Sequence, residues 1–301
     1  MFRSIVDDIK LNFNTGNMVT KLIIVNVGVF VITALLFAFS KLYPFDDWIY
    51  KYLCLSGQPY HFLTRPWTFI THLFVHGGIF HLLWNMVGLN LFGRITGDLL
   101  GDRRILPLYI FGGLISGFIY LIAVNFILNT PTSFALGASG SIMAIAMTAG
   151  LIAPDYIVRL LLIGDVKIKY IVAAFIFLDL LGTQADQNTG GHFAHLGGAL
   201  AGLLFIFLYK KGTDVLLPFE KLFDLSSYRN RPAKHVQQRA KMKVEHRNLE
   251  SRRSPFAGIQ SEEELPFQEQ LDKILDKIKE KGYEKLSGEE KAFLKKASEK
   301  K

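Results

Sequence analysis

Gly137-Ala138-Ser139-Gly140-Ser141-Ile142-Met143-Ala144-Ile145-Ala146-Met147 sets a small polar turn at the head of an apolar helical run. The turn-forming stretch Asn129-Thr130-Pro131-Thr132-Ser133 precedes it. A serine at that boundary sits at a helix N-terminus, where unpaired N–H groups and the positive dipole end favour a developing negative charge. Flanking glycines let backbone, a neighbouring helix and a ligand approach closely. The segment is a place to build a nucleophile with an oxyanion site. Taken alone it reads first as a helix cap with small packing residues, so the rest of the chain has to decide.

Outward from this stretch the chain is a series of long apolar runs. Half of its 301 residues are apolar, and they cluster instead of alternating. That pattern indicates an all-α, polytopic membrane protein. Spans are expected at about 21–39, 79–92 with an extension to 100, 105–128, 139–153, 170–181 and 191–209. The fourth is short for a crossing helix. Gly113-Leu114-Ile115-Ser116-Gly117 in the third permits close helix packing. Residues 40–67, rich in Tyr, Trp and Phe, suit the membrane–water interface, and the apolar segment 156–164, broken by Arg159, also reads as interfacial. A surface loop over a small core is the other reading of 40–67. The single cysteine, Cys54, excludes an intrachain disulfide. Residues 1–21 read as neither a secretory signal nor a transit peptide.

Charge orients the spans. Arg3, Lys10 and Lys21 precede the first; Arg94, Arg103 and Arg104 follow the second; Arg159, Lys167 and Lys169 follow the fourth. The connections 129–138 and 183–191 hold no Lys or Arg. The positive-inside rule then puts both termini in the cytoplasm, although Lys41, Lys51 and Arg65 run against it. On this topology His81 and Asn85, Ser139 and His195 all fall in the outer half of the bilayer. Polar groups in spans are costly and face a bundle interior or a wet cavity.

His81 and Asn85 are spaced i, i+4 and can aim two donors at one spot. Small residues at 140, 144 and 148 and at 198 and 202 let two helices approach until a serine–histidine hydrogen bond forms. The chemistry indicated is acyl transfer: Ser139 attacks, His195 moves the proton, and His81, Asn85 and the Ser139 N–H hold the oxyanion. No carboxylate is placed to orient His195, so a dyad is expected. Asp179 reads as a capping or helix-linking group.

These residues resemble a rhomboid intramembrane serine protease of bacterial type. The matching motifs are Gly137-Ala138-Ser139-Gly140, His81-Leu82-Leu83-Trp84-Asn85, and Ala194-His195-Leu196-Gly197-Gly198 followed by Gly202, in the family order. The resemblance covers about 20–210. It implies a six-helix bundle, a Ser139–His195 dyad, and cleavage of single-pass membrane proteins near small residues without metal or cofactor. Two departures stand out. Thr68, not arginine, follows Trp67, and Met143 stands where some relatives pack an aromatic on the catalytic histidine. Ser141 is a rival nucleophile on another face of its helix. His72 and His76 read as structural or water-holding groups, and His192 as loop surface.

The domain reading is a cytoplasmic segment 1–19, a protease domain 20–210, a basic and disordered linker 211–266, and a small helical hairpin 267–301. In the hairpin Phe267, Leu271, Ile274 and Ile278 recur at helical spacing, and Ser287-Gly288-Glu289-Glu290 has capping-box form. The basic linker touches anionic head groups or is simply solvated. The hairpin is expected to bind a partner or self-associate, and nothing points to nucleic acid. The expected location is the plasma membrane. The contrasting reading is a catalytically inactive relative that binds membrane clients; its mark, loss of a dyad residue, is absent here.

Overall fold

The computed structural model describes residues 2–40, 42–160, 163–184, 188–223 and 267–299. Of the expected linker 211–266, residues 224–266 lie outside the described residues. The chain divides into two compact units, 1–233 and 234–301.

In the first unit, helix α1 (Phe2–Thr15) leads through Gly16 into α2 (Met18–Ala38), whose N-terminus is capped by Asn17. Short elements α3 (Phe45–Tyr52), β1 (Leu55–Ser56), α4 (Pro59–Thr64) and α5 (Thr68–Thr71) make up the first long loop. Then come α6 (Ile79–Leu100), α7 (Ile105–Ile122) ending in a π turn, β2 (Phe134–Ala135) and α8 (Ser139–Ile152). The hairpin β3 (Ile157–Leu160) and β4 (Gly164–Lys167) precedes α9 (Ile168–Gly182), α10 (Thr189–Lys210) and α11 (Leu217–Phe223). The six helices α2 and α6–α10 stand within a few residues of the six expected apolar runs, and the architecture is all-α. Among the described residues, α2, the segment Asp102–Ile127 containing α7, and α10 are long and apolar enough to cross a membrane.

Their packing follows from residue size. α10 packs most extensively against α8 and α7, and α8 also against α6. Leu89, Ile105, Leu108, Tyr109, Ile145 and Phe205 are fully buried between the helices, where close-packed apolar contact sums to the main cohesion. α8 spans 14 residues and nearly every residue from Gly140 to Gly150 is buried, so it is enclosed by its neighbours.

Two stretches carry structure beyond the expectations above. The segment read as interfacial forms part of a β-hairpin, in which β-branched Ile157, Val158 and Val166 favour extended backbone. Gly164, at φ +87°, pairs with Leu160 where β4 begins. Arg159 and Asp165 are cross-strand partners joined by a 2.8 Å ion pair. Asp155 caps the arrangement by contacting both Lys169 and Lys167, which hold its carboxyl down at about 2. The first residues of the stretch read as linker are also structured, with α11 over Leu217–Phe223. Asp214 and Glu220 both reach Arg104, whose guanidinium lies over Tyr209, and Leu216 is fully buried. Burial of that one leucine and a carboxylate pair on a single arginine keep 212–223 with the first unit.

In the second unit, helix Phe267–Lys281 and helix Gly288–Glu299 are joined by a turn at Gly282, at φ +79°. The Ser287 Oγ accepts from the Glu290 N–H while Glu290 Oε2 accepts from the Ser287 N–H at 2.7 Å, a reciprocal capping box. Lys277 and Glu290 pair across the two helices at 2.6 Å.

Candidate active site

The site forms where α8 and α10 cross, and the crossing is backbone to backbone. A Cβ on Gly198 would overlap the Gly140 carbonyl, and one on Gly202 the Ala144 carbonyl. Gly140 is pressed in turn on Ser116 of α7, whose Oγ donates to the Ala194 carbonyl at 2.7 Å. With no side chain between the helices, Ser139 and His195 face each other, and Ser139 Oγ lies 2.7 Å from His195 Nε2. That separation is what a hydroxyl nucleophile and its base require.

The approach to Ser139 is tied to the first long loop. β1 pairs with β2, the Gly57 N–H donates to the Ser133 carbonyl at 2.9 Å, and the Gly137 N–H donates to the His72 carbonyl at 2.8 Å. Gly137 sits at φ +117°, and a Cβ there would meet His81 Nε2 at 2.7 Å, so glycine is required twice over. Because α8 starts at Ser139, the first N–H groups of the helix lack intrahelical acceptors. A cavity of about 310 Å³ opens over this point, lined by Ser139, His195, His81, His72, Ser116 and Gly137 among others.

Of the two expected oxyanion side chains, one reaches this cavity. His81 lines it, and a long 3.4 Å bond from the Gly77 N–H to Nδ1 leaves Nε2 as the protonated nitrogen of the neutral ring. Asn85 is buried one turn away, does not line the cavity, and donates from Nδ2 to the His81 carbonyl at 2.7 Å. Ser141, the rival nucleophile, is fully buried against Gly113 and cannot meet a substrate. His72 bonds to the Thr68 carbonyl at 2.7 Å and lines the cavity, while the His76 ring packs edge-on to His81 at 5.1 Å. Burial holds both His72 and His76 at about 4, so both are neutral at neutral pH. Arg65 and Trp67 staple the first loop: Arg65 lies over the Tyr52 ring and donates to the Lys51 carbonyl, and the Trp67 indole donates to the Tyr52 carbonyl.

The expectation that no carboxylate orients His195 is corrected. Asp179, near the end of α9, places Oδ1 2.8 Å from His195 Nδ1. It does link helices, but through the histidine itself. The same oxygen lies 2.8 Å from Nδ1 of His192, which belongs to the first turn of α10 and is half-buried, not loop surface. The His192 ring meets the His195 ring edge-on at 6.0 Å, and thus supplies the aromatic contact that Met143 does not. Asp179, His192 and His195 are also the one group among the described residues whose ligand-type atoms lie close enough together, within 4.8 Å, to hold a metal ion. Their spacings are those of one carboxylate oxygen accepting two imidazole N–H groups.

A buried, membrane-type helix bundle with a serine at one helix head and a histidine on the crossing helix defines the class. Residues 63–212 match the Rhomboid domain, and the chain belongs to the rhomboid family. It is 29% identical over 179 residues to presenilin-associated rhomboid-like protein A, mitochondrial, of Danio rerio, covering 56% of this chain and 45% of that one. It is 28% identical over 209 residues to RHOMBOID-like protein 12, mitochondrial, of Arabidopsis thaliana, covering 65% and 59%. A third relative, inactive rhomboid-related protein 2 of Caenorhabditis elegans, is 30% identical over 167 residues, covering 53% and 44%. The chain spans about half the length of these curated relatives. Residues 261–300 match a separate family of unknown function, DUF6576.

Proposed function

We propose that this chain is an intramembrane serine endopeptidase that cleaves peptide bonds in or near transmembrane segments of single-pass membrane proteins. The observation that carries the reading is the 2.7 Å contact between Ser139 Oγ and His195 Nε2 at the floor of a cavity. Ser139 Oγ attacks the scissile carbonyl while His195 Nε2 takes its proton. The oxyanion forms beside the Ser139 N–H and His81 Nε2–H, donors fixed before the reaction starts. His195 then gives the proton to the departing amine, and water entering by the cavity hydrolyses the acyl-enzyme. Asn85 supports this oxyanion site by holding the His81 turn, in place of the direct contact that its spacing had indicated. The reaction needs no cofactor.

The proposed orientation has both ends of the membrane unit on the positively charged, cytoplasmic-type face and Ser139 toward the opposite face. The plasma-membrane expectation draws no support from the relatives, whose printed names include mitochondrial and chloroplastic members. The hairpin 267–299 is proposed as a partner-binding or self-associating unit.

One relative is named inactive, so client binding without cleavage is the second reading. A fluorophosphonate probe on detergent-purified protein separates the two. Labelling of wild type, with none on Ser139→Ala or His195→Ala, is expected. Folded wild type left unlabelled by a probe that labels an active rhomboid protease would overturn the protease reading in favour of client binding.

A further inference from the structure

We infer that Asp179 and His192 form a positioning relay behind His195, so that the working unit is Ser139–His195–Asp179 steadied by a second imidazole. The inference rests on the protease reading above and adds to it two residues on which the family motifs are silent.

The geometry has a direction. His195 Nε2 faces Ser139 Oγ at 2.7 Å and Nδ1 faces Asp179 Oδ1 at 2.8 Å. A carboxylate only accepts, so Nδ1 carries the proton and Nε2 offers its lone pair to the serine hydroxyl. That is the tautomer a general base needs, and the opposite one would leave Nε2 unable to take a proton. When Nε2 is protonated during attack, the adjacent, largely buried carboxylate balances the imidazolium.

Asp179 is itself held. It is 7% exposed, so a carboxylate there has little water and needs protein donors. His192 Nδ1 supplies one at 2.8 Å on the same oxygen. The approach is built into the backbone: a Cβ on Gly182, one turn beyond Asp179, would collide with the His192 ring. Asp179 and Gly182 share one face of α9, and His192 and His195 share one face of α10, each pair at i, i+3. The ring of His192 lies edge-on against that of His195 as well, so one residue fixes both the carboxylate and the base. Two histidines converging on one buried oxygen is more than helix linkage requires.

The first measurement uses wild type alone. In protein carrying ¹⁵N-labelled histidine, His195 should show the Nδ1-protonated tautomer with a deshielded Nδ1 proton at neutral pH; an Nε2-protonated His195 would overturn the inference, whatever the outcome of labelling. The second is the rate of fluorophosphonate labelling, separated into the probe's binding constant and its maximal rate. Asp179→Asn should lower the maximal rate on the order of a hundredfold or more, with probe binding unchanged. Asp179→Glu should recover part of that loss, which a role in packing alone would not allow. His192→Gln should lower the maximal rate by roughly tenfold, the equivalent of one hydrogen bond to a charged group. Asp179→Asn protein that labels within about twofold of wild type would overturn the relay while leaving the dyad standing. Absence of label on wild type itself would instead remove the protease reading, and the tautomer measurement would still decide the geometry.

Discussion

Ser139 has two flanks, and they are built differently. On the α10 side the contact is backbone against backbone, with Gly140, Gly198 and Gly202 leaving no room for any side chain. On the α6 side, contact is made by side chains: Ile142 reaches toward Gly88, where a Cβ would lie 3.2 Å from its Cγ2, and Thr96 donates to the Ile145 carbonyl at 3.2 Å. The first flank yields a short serine–histidine bond; the second leaves His81 across a cavity without a bond to the serine. The lesson is a division of labour. A proton must move over a fixed short distance, so its partners are set by the backbone. An oxyanion donor must wait for substrate, so its side is left open.

Substitutions at the two flanks should therefore differ in kind. The largest effect is expected from Gly198→Val, which drives a branched side chain into the Gly140 carbonyl. Parting the helices by about 1 Å should cost at least a hundredfold in labelling rate and lower the melting temperature as well. A well-folded, fully reactive Gly198→Val would mean that the seam is not what sets the distance. Next comes His81→Ala, expected to reduce turnover of a cleavable membrane substrate by about a hundredfold while the melting temperature stays near wild type. Equal losses in stability and turnover would make His81 a packing residue. Asn85→Ala should cost less than His81→Ala, within about tenfold, because its amide reaches the active site only through the His81 carbonyl. A larger loss for Asn85 would show that it turns into the cavity when substrate binds. Gly88→Ala should be the mildest, with labelling within about threefold of wild type, since only the end of Ile142 has to yield.

Chain ends sharpen the same point about what belongs to the catalytic unit. Truncation after Phe223 should leave the labelling rate unchanged. Truncation after Lys211 removes Leu216 and both carboxylates that face Arg104, and should lower the melting temperature by several degrees. Identical melting curves for the two truncations would show that α11 adds nothing.

Much of the fold was legible in the sequence because apolar runs and small-residue spacing translate directly into helices and close crossings. Ser139 and His195 were legible together, not singly: the serine segment alone reads as a helix cap, and only the three motifs around Ser139, His81–Asn85 and His195, in one order and on spans of one direction, point to a site. Asp179 was missed because a carboxylate near the end of a span looks like a cap. The overlooked signal was its i, i+3 spacing to Gly182, matched by His192 and His195 on the next helix. For Asn85 spacing was not enough: residues at i and i+4 share a face, but an asparagine can also bond back to the carbonyl four residues earlier, and here it does. The β3–β4 hairpin was missed because a short apolar stretch carries too little periodicity to show its conformation, and the cross-strand pairing of Arg159 with Asp165 is visible only in the fold.

The seam between α8 and α10 has a mechanical side too. Side chains can change rotamer, and helices facing lipid can tilt when the bilayer thickens or thins, but two backbones in contact have little left to compress. α8, at 14 residues, is about 21 Å long against a hydrocarbon core of about 30 Å, and its neighbours enclose it. Changes in bilayer thickness are therefore absorbed by the outer helices. Because α8 is enclosed by its neighbours, the bond between Ser139 and His195 is expected to change little when bilayer thickness changes.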